Sequence, residues 1–234
     1  MNYRRSVPWI RSRCRPPPDL QTPYHSRMPA PASDRPPISI RTDLQAVVAD
    51  RRARLDQALG ALDRRGSELI DVLEAVGSIV RGGGRIVTCG NGGSAAEALH
   101  LSEELIGRYR TDRPSIASIC LNADPTAITC IANDYGFESV FSRQCESLLE
   151  AKDGLVVFST SGRSPNLLAA LETATHRGAT RIGILGGDGG PALALCDASI
   201  VIPGPDSAAI QEAHQFVMHA CCEQFEPAPE PGES

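Results

Sequence analysis

Five short apolar runs recur from residue 85 onward, and they constrain the fold more than any other feature of the chain. They are RIVTC (85–89), SIASICL (115–121), GLVVFST (154–160), RIGILGG (181–187) and ASIVIP (198–203). Stretches of helical character lie between and after them, at 92–108, 138–150, 165–177 and 206–225. Strands that are apolar throughout, rather than alternating, have both faces covered, and strands separated by helices pair in parallel. The expected class is therefore α/β. Hydrophobic residues make up 41% of the chain and aromatics only 4%, so the core is built from Ala, Leu, Ile and Val. Ligands of such sheets bind beyond the carboxyl ends of the strands. The residues that follow each strand are the ones to read for function.

The flanks differ from this pattern. Residues 1–41 are rich in Arg and Pro and lack apolar periodicity, which predicts a disordered tail. Met28 stands as an alternative start. From Asp43, helical spacing runs through Leu44, Val47, Val48, Leu55, Leu59 and Leu62, then Leu69, Leu73, Val76 and Val80. A break near Arg65-Gly66 divides this segment into a helical pair, which ends at the glycines of Arg81–Gly84. One domain is expected over 42–226, with a second flexible tail over 227–234. The formal charge of -5 argues against a nucleic-acid partner. No apolar run reaches the roughly 18 residues that a membrane span needs. The eight cysteines include no C-x-x-C and fit buried thiols of a reducing cytoplasm.

Two loops have the composition of anion sites. GNGGSAAE (90–97) follows the first run and STSGRSPN (159–166) the third. Glycines let the backbone approach a phosphate, helix N-termini offer free N–H groups, and the hydroxyls of Ser94, Ser159, Thr160, Ser161 and Ser164 add donors. Either loop alone is ordinary turn and cap chemistry. Two of them, at the ends of two strands, favour a phosphorylated ligand. Gly90-x-Gly92-x-x-Ala95 also satisfies the loose dinucleotide fingerprint, but its third glycine is Ala95 and Asp124 lies beyond the second strand. No Gly-Lys-Ser/Thr of a Walker loop occurs.

Two helices carry polar stripes. His100 and Glu104 are spaced i, i+4, with Ala95, Ala98, Leu99, Leu105 and Ile106 mostly on the opposite face. Gln211, Gln215 and His219 repeat the spacing, with Ile210, Ala213, Phe216, Val217 and Ala220 on the other side. These groups suit zinc ligation, acid–base chemistry near neutral pH, or a solvated surface. Spacing alone leaves all three open.

The segments CGNGGSAAEALHLSEELIGRYRTDRP, TAITCIANDYGFESVFSRQCESL, STSGRSPN, GGDGG and IQEAHQFVMHACCE occur in this order. Together they resemble the sugar isomerase (SIS) domain family, and within it the phosphoheptose isomerases. The resemblance implies a three-layer αβα fold with a five-stranded parallel sheet and an N-terminal helical pair. It implies conversion of sedoheptulose 7-phosphate to a heptose 7-phosphate, a homotetramer with sites at subunit interfaces, and zinc. Residue by residue, it implies that Asn91, Gly92, Gly93 and Ser94 contact substrate, that Ser159, Thr160, Ser161 and Ser164 hold the phosphate, and that Asn133 and Asp134 contact the sugar. Arg108 and Gln211 also fall at the substrate site. Glu104 and His219 match the catalytic pair, and His100, Glu104, Gln211 and His219 the zinc positions. Three positions depart from the family pattern: Ala209 where a basic residue is common, Gly187 where lysine is frequent, and Arg163 where asparagine is usual. A non-catalytic relative binds the replication initiator but lacks acid–base residues at the positions of Glu104 and His219. A sugar-phosphate-binding regulator usually carries a DNA-binding module, of which the N-terminal segment has no signature. A nucleotide-dependent dehydrogenase is the most distant alternative.

Overall fold

The computed structural model describes residues 43–227. The tails expected over 1–41 and 227–234 lie outside these residues, Pro227 apart. The helices are α1 (Leu44–Leu62), α2 (Gly66–Arg81), α3 (Gly93–Ile106), α4 (Pro125–Tyr135), α5 (Ser142–Leu148), α6 (Pro165–Arg177), α7 (Gly190–Leu193) and α8 (Ser207–Glu223). The strands are β1 (Ile86–Gly90), β2 (Ser118–Cys120), β3 (Gly154–Ser159), β4 (Thr180–Gly186) and β5 (Ala198–Ile202). They form one parallel sheet in the order β2-β1-β3-β4-β5. Ile86 lies beside Gly154, Gly154 beside Thr180 and Ile182 beside Ala198.

Alternate strand residues feed two cores. Ile86, Val156, Phe158, Ile182 and Ile200 pack under α1, α2, α3 and α8. Val87, Cys89, Leu155, Val157 and Leu185 pack under α5 and α6. This covering of both faces is why the strands read as unbroken apolar runs. The expected α/β class and three-layer arrangement are those observed. Among the described residues, no helix is long and apolar enough to cross a membrane.

The differences from the sequence reading are local. The run at 115–121 yields only a three-residue β2. The Ile116 N–H donates to Leu105 O at the end of α3, at 3.0 Å, so the chain before Ala117 is tied to that helix instead of to the sheet. The stretch at 138–150 divides into a 3-10 turn at Phe137–Ser139 and the short α5. Helix α4 has no fully buried residue, and its stripe of Ile128, Ile131 and Ala132 packs half-buried against the second core. Its start is nonetheless well specified, since Asp124 accepts from Thr126 N and Ala127 N at 2.8 and 3.1 Å and Pro125 opens the first turn. The break between α1 and α2 is a 3-10 turn at Asp63–Arg65. Only Ala58, Ala61 and Leu62 of α1 are buried. Leu44 and Val48 remain 69% and 66% exposed.

The entry to β3 holds a buried ion pair. Asp153 is fully buried and accepts from Arg85 N at 2.8 Å, Arg85 Nη2 at 2.7 Å and Glu150 N at 3.0 Å. Burial pushes its carboxyl up, but the hydrogen bonds from Arg85 and Glu150 outweigh this and hold it below the usual range. A depressed folded value contributes stability above the ordinary Asp pKa of about 3.9, and that stability is lost as pH falls through the folded value. Asp153→Asn is expected to lower stability by about 2–4 kcal/mol at neutral pH. The difference from wild type should shrink in acid, and urea denaturation at neutral and acidic pH measures both.

Candidate active site

Strands β1 and β3 are neighbours, yet their following helices lie on opposite faces of the sheet: α3 in one core and α6 in the other. A crevice opens between the two loops at such a switch point. Both glycine- and serine-rich loops sit there. Asn91 and Asn166 exchange reciprocal amide hydrogen bonds of 2.9 Å across the crevice, and Asn166 is 2% exposed. Asn122 brackets Gly90, accepting from its N–H at 3.1 Å and donating to its carbonyl at 3.0 Å.

In the second loop, Gly162 N donates to Ser159 Oγ at 2.9 Å. Gly162 has φ +61°, and a Cβ there would meet the carbonyl of Gly189, so the tight turn requires glycine. Asn91, Ser94, Ser159, Thr160, Ser161 and Ser164 line a small cavity of about 80 Å³. Hydroxyls and the Asn91 amide make up most of its lining, with Phe158 and Leu167 as its apolar part, and α6 begins at its edge with Pro165 at the first position. This is the geometry of an anion pocket at a helix N-terminus. Arg163 turns to Asp188 instead, at 2.6 Å.

Helices α3 and α8 both follow parallel strands, and they meet in a seam. The Gln211 amide lies over Gly93, where a Cβ would come within 2.7 Å of Cδ. His214 faces Glu97 in the next rung. His100 Nδ1 pairs with Gln215 Oε1 at 2.9 Å, and His100 Nε2 with Glu104 Oε1 at 3.2 Å. The His219 ring meets that of His100 edge-on, with centroids 5.3 Å apart. One ligand atom each from His100, Glu104 and His219 lies within 4.8 Å of the other two.

The surroundings hold this end of the seam in place. Glu104 is 14% exposed at its side chain. Tyr109 stacks on His219 at 5.4 Å, and the Arg110 guanidinium lies 4.9 Å from the Tyr109 ring. Arg113 donates to Glu104 O at 2.6 Å and to Leu105 O at 3.0 Å, a cation at the helix C-terminus. Burial first, then the neighbouring His100 and Arg110, lower the His219 pKa against the opposing pull of Glu104. A neutral imidazole at physiological pH suits both metal ligation and proton transfer.

The helix faces differ from the sequence reading. Leu99, Ile106 and Phe216 are 41%, 49% and 56% exposed, whereas Glu97 and His214 are buried. The inner face of α3 comprises Ser94, Glu97, Ala98, Leu101, Ser102 and Leu105. His100 and Glu104 therefore lie at the edge of that face, in the seam, not opposite it. The structure joins His100, Glu104 and His219, and separately joins Asn91 and Ser94 to the 159–164 loop. Gln211 lies two turns before His219, about 12 Å along the axis. Asn133 and Asp134 are exposed at the end of α4 and bonded to each other at 2.7 Å. Arg108 is exposed just beyond α3. Sequence reading missed Glu97, His214, Asn122, Asn166 and Tyr109.

Comparison with known proteins identifies the family. The family model for the SIS domain matches residues 53–186. Phosphoheptose isomerase of a Nitratiruptor species is 50% identical over 138 residues, 59% of this chain and 74% of that protein. Phosphoheptose isomerase 1 of Campylobacter jejuni is 46% identical over 156 residues, 67% of this chain and 84% of that protein. The solved phosphoheptose isomerase of Neisseria gonorrhoeae superposes with a TM-score of 0.72 at 37% identity, covering 77% of this chain and 97% of that one. The chain belongs to the SIS domain family, among its phosphoheptose isomerases.

Proposed function

We propose that this protein isomerises sedoheptulose 7-phosphate to D-glycero-D-manno-heptose 7-phosphate, an early step towards nucleotide-activated heptose. The observation that carries the reading is the pairing, on one helix, of an anion pocket at its start and a carboxylate–imidazole group at its end. The reaction moves a proton between C1 and C2 through an enediol or enediolate. Glu104 Oε1 faces His100, which leaves Oε2 to take the proton from carbon. His219, stacked on Tyr109, protonates oxygen. The phosphate loops hold the far end of the substrate and supply the orientation that makes the transfer intramolecular in effect.

Two imidazoles and a carboxylate form a donor set that suits zinc with an open position. His100, Glu104 and His219 would hold the ion; Gln211, the further ligand that the family resemblance implies, sits over Gly93 about 12 Å along α8 from His219 and does not reach it within one chain. When bound, zinc supplies Lewis-acid polarisation of the substrate oxygens. Chelation is expected to lower kcat by at least about a hundredfold, with recovery on adding zinc. Full activity in the chelated protein, with metal content verified, contradicts the metal site.

The active unit in this reading is a homotetramer with sites shared between copies. Ser94 and Glu104 are about 15 Å apart along α3, a long reach for one sugar phosphate within one chain. A neighbouring copy that presents its Glu104 end to this phosphate loop closes the gap. It also covers exposed apolar side chains such as Leu44, Val48, Leu99 and Phe216. The buried free thiols of Cys89, Cys145 and Cys221 fit the cytoplasm as its compartment. Incubation of purified protein with sedoheptulose 7-phosphate, with product identified by NMR and mass measured in solution, tests activity and assembly together. A wild-type protein that is inactive with zinc present, or active as a monomer, overturns the corresponding part.

A further inference from the structure

The rung between the phosphate loops and the Glu104 end of the seam is a carboxyl and an imidazole in full burial. Glu97 on α3 is 2% exposed and His214 on α8 is 0% exposed. Glu97 Oε1 stands 3.6 Å from His214 Nδ1, just beyond hydrogen-bond length. Both carboxyl oxygens and both ring nitrogens lack a hydrogen-bond partner among the described residues. The nearest aromatic wall is Phe158 of β3, with ring centroids 6.5 Å apart. Burying such groups costs several kcal/mol unless they pair, and an apolar pair of similar volume would hold two helices at least as firmly.

What an apolar pair does not supply is direction. Apolar contacts tolerate sliding and rotation of one helix on another, whereas a carboxyl–imidazole hydrogen bond fixes separation and rotation together. The placement makes that useful. Glu97 lies three residues before His100, and His214 lies one before Gln215 and five before His219. Any slip between α3 and α8 at this rung moves His219 relative to Glu104. Neither residue lines the anion pocket or belongs to the His100–Glu104–His219 group.

We propose that Glu97 and His214 are a positioning pair, which closes from 3.6 Å into a hydrogen bond that locks α3 to α8 in the register holding His100, Glu104 and His219 together. Its kinetic consequence rests on the isomerase reading, while its structural consequence does not. Two variants of the full-length protein test it. Glu97→Gln keeps a directional hydrogen bond to the ring and is expected to leave kcat within about threefold of wild type. The double variant Glu97→Leu/His214→Leu is expected to melt no lower than wild type. Its kcat should nevertheless fall by at least about tenfold, with KM within about twofold, because the reacting groups shift while the phosphate loops do not. Wild-type kcat in the apolar variant, or kcat and KM failing together with the melting temperature, overturns the pair as a positioning device. Loss of activity in Glu97→Gln at unchanged stability also overturns it, because the charge and not the bond would then be the requirement. The crystal structure of the apolar variant supplies a readout independent of turnover. The ligand atoms of His100, Glu104 and His219 should separate beyond 4.8 Å. Finding them together overturns the proposal even if the wild type proves inactive on sedoheptulose 7-phosphate.

Discussion

Glu104→Gln is expected to lower kcat by about 10³–10⁴-fold while KM for the sugar phosphate changes by less than about threefold. The substitution keeps the shape and the hydrogen bond to His100 but removes the oxygen that takes a proton from carbon; because Glu104 is also in the proposed zinc set, the comparison is made at equal, verified zinc content. Glu104 is mostly buried against His100, with its carbonyl held by Arg113, so an amide finds the same seat and the helix end keeps its form. The defect should therefore fall on the chemical step, with the thermal midpoint and the oligomer unchanged. His219→Asn is expected to lose somewhat less, about 10²–10³-fold, because an oxygen is easier to protonate from water than a carbon is to deprotonate. Initial rates over a range of substrate concentrations separate the two constants. A Glu104→Gln protein with substantial kcat contradicts its role as base.

The second large effect belongs to the loop between β3 and α6, across the crevice from the start of α3. Ser161→Ala combined with Ser164→Ala is expected to raise KM about 10²–10⁴-fold, since each hydrogen bond to a charged phosphate contributes about 1.5–3 kcal/mol when partly shielded from water. Both hydroxyls line the small cavity with Asn91 and Ser94. The Ser159 hydroxyl is already committed as acceptor to Gly162 N, within the turn itself, so Ser159→Ala should perturb loop shape as well as binding. Inorganic phosphate should inhibit the wild-type protein competitively and the double variant far less. A double variant with unchanged KM places the phosphate elsewhere.

The opposite kinetic signatures of these substitutions reflect a division that was partly visible in the sequence. Strands buried on both faces must be apolar at every position, so RIVTC and GLVVFST stand out without any partner in view. The glycines and serines after them are equally visible, because close backbone approach admits few other residues. The strand order is not a local property. Nothing in residues 85–90 says that β1 lies between β2 and β3, yet that placement makes the crevice where the two loops meet.

The seam explains the remaining misses. Glu and His are seldom fully buried, so nothing local in the sequence singles out positions 97 and 214. Only the packing of α3 on α8 makes them an internal pair. The same packing leaves Phe216 outside, where an apolar side chain had suggested the core. The reciprocal pairing of Asn166 with Asn91 depends on two loops 75 positions apart. Helix α4 escaped notice because its apolar residues are only half-buried, and Asp124-Pro125 was the available signal.

The central claim is that the chain carries a phosphate pocket and a proton-transferring carboxylate that serve one sugar-phosphate isomerisation. Turnover of sedoheptulose 7-phosphate in deuterium oxide, followed by NMR, tests it most directly. The wild-type protein with zinc is predicted to form a heptose 7-phosphate carrying deuterium at C2, and Glu104→Gln is predicted to form none at a comparable rate. Absence of product from the wild type, or a wild-type rate in Glu104→Gln at equal zinc content, would contradict proton transfer through Glu104.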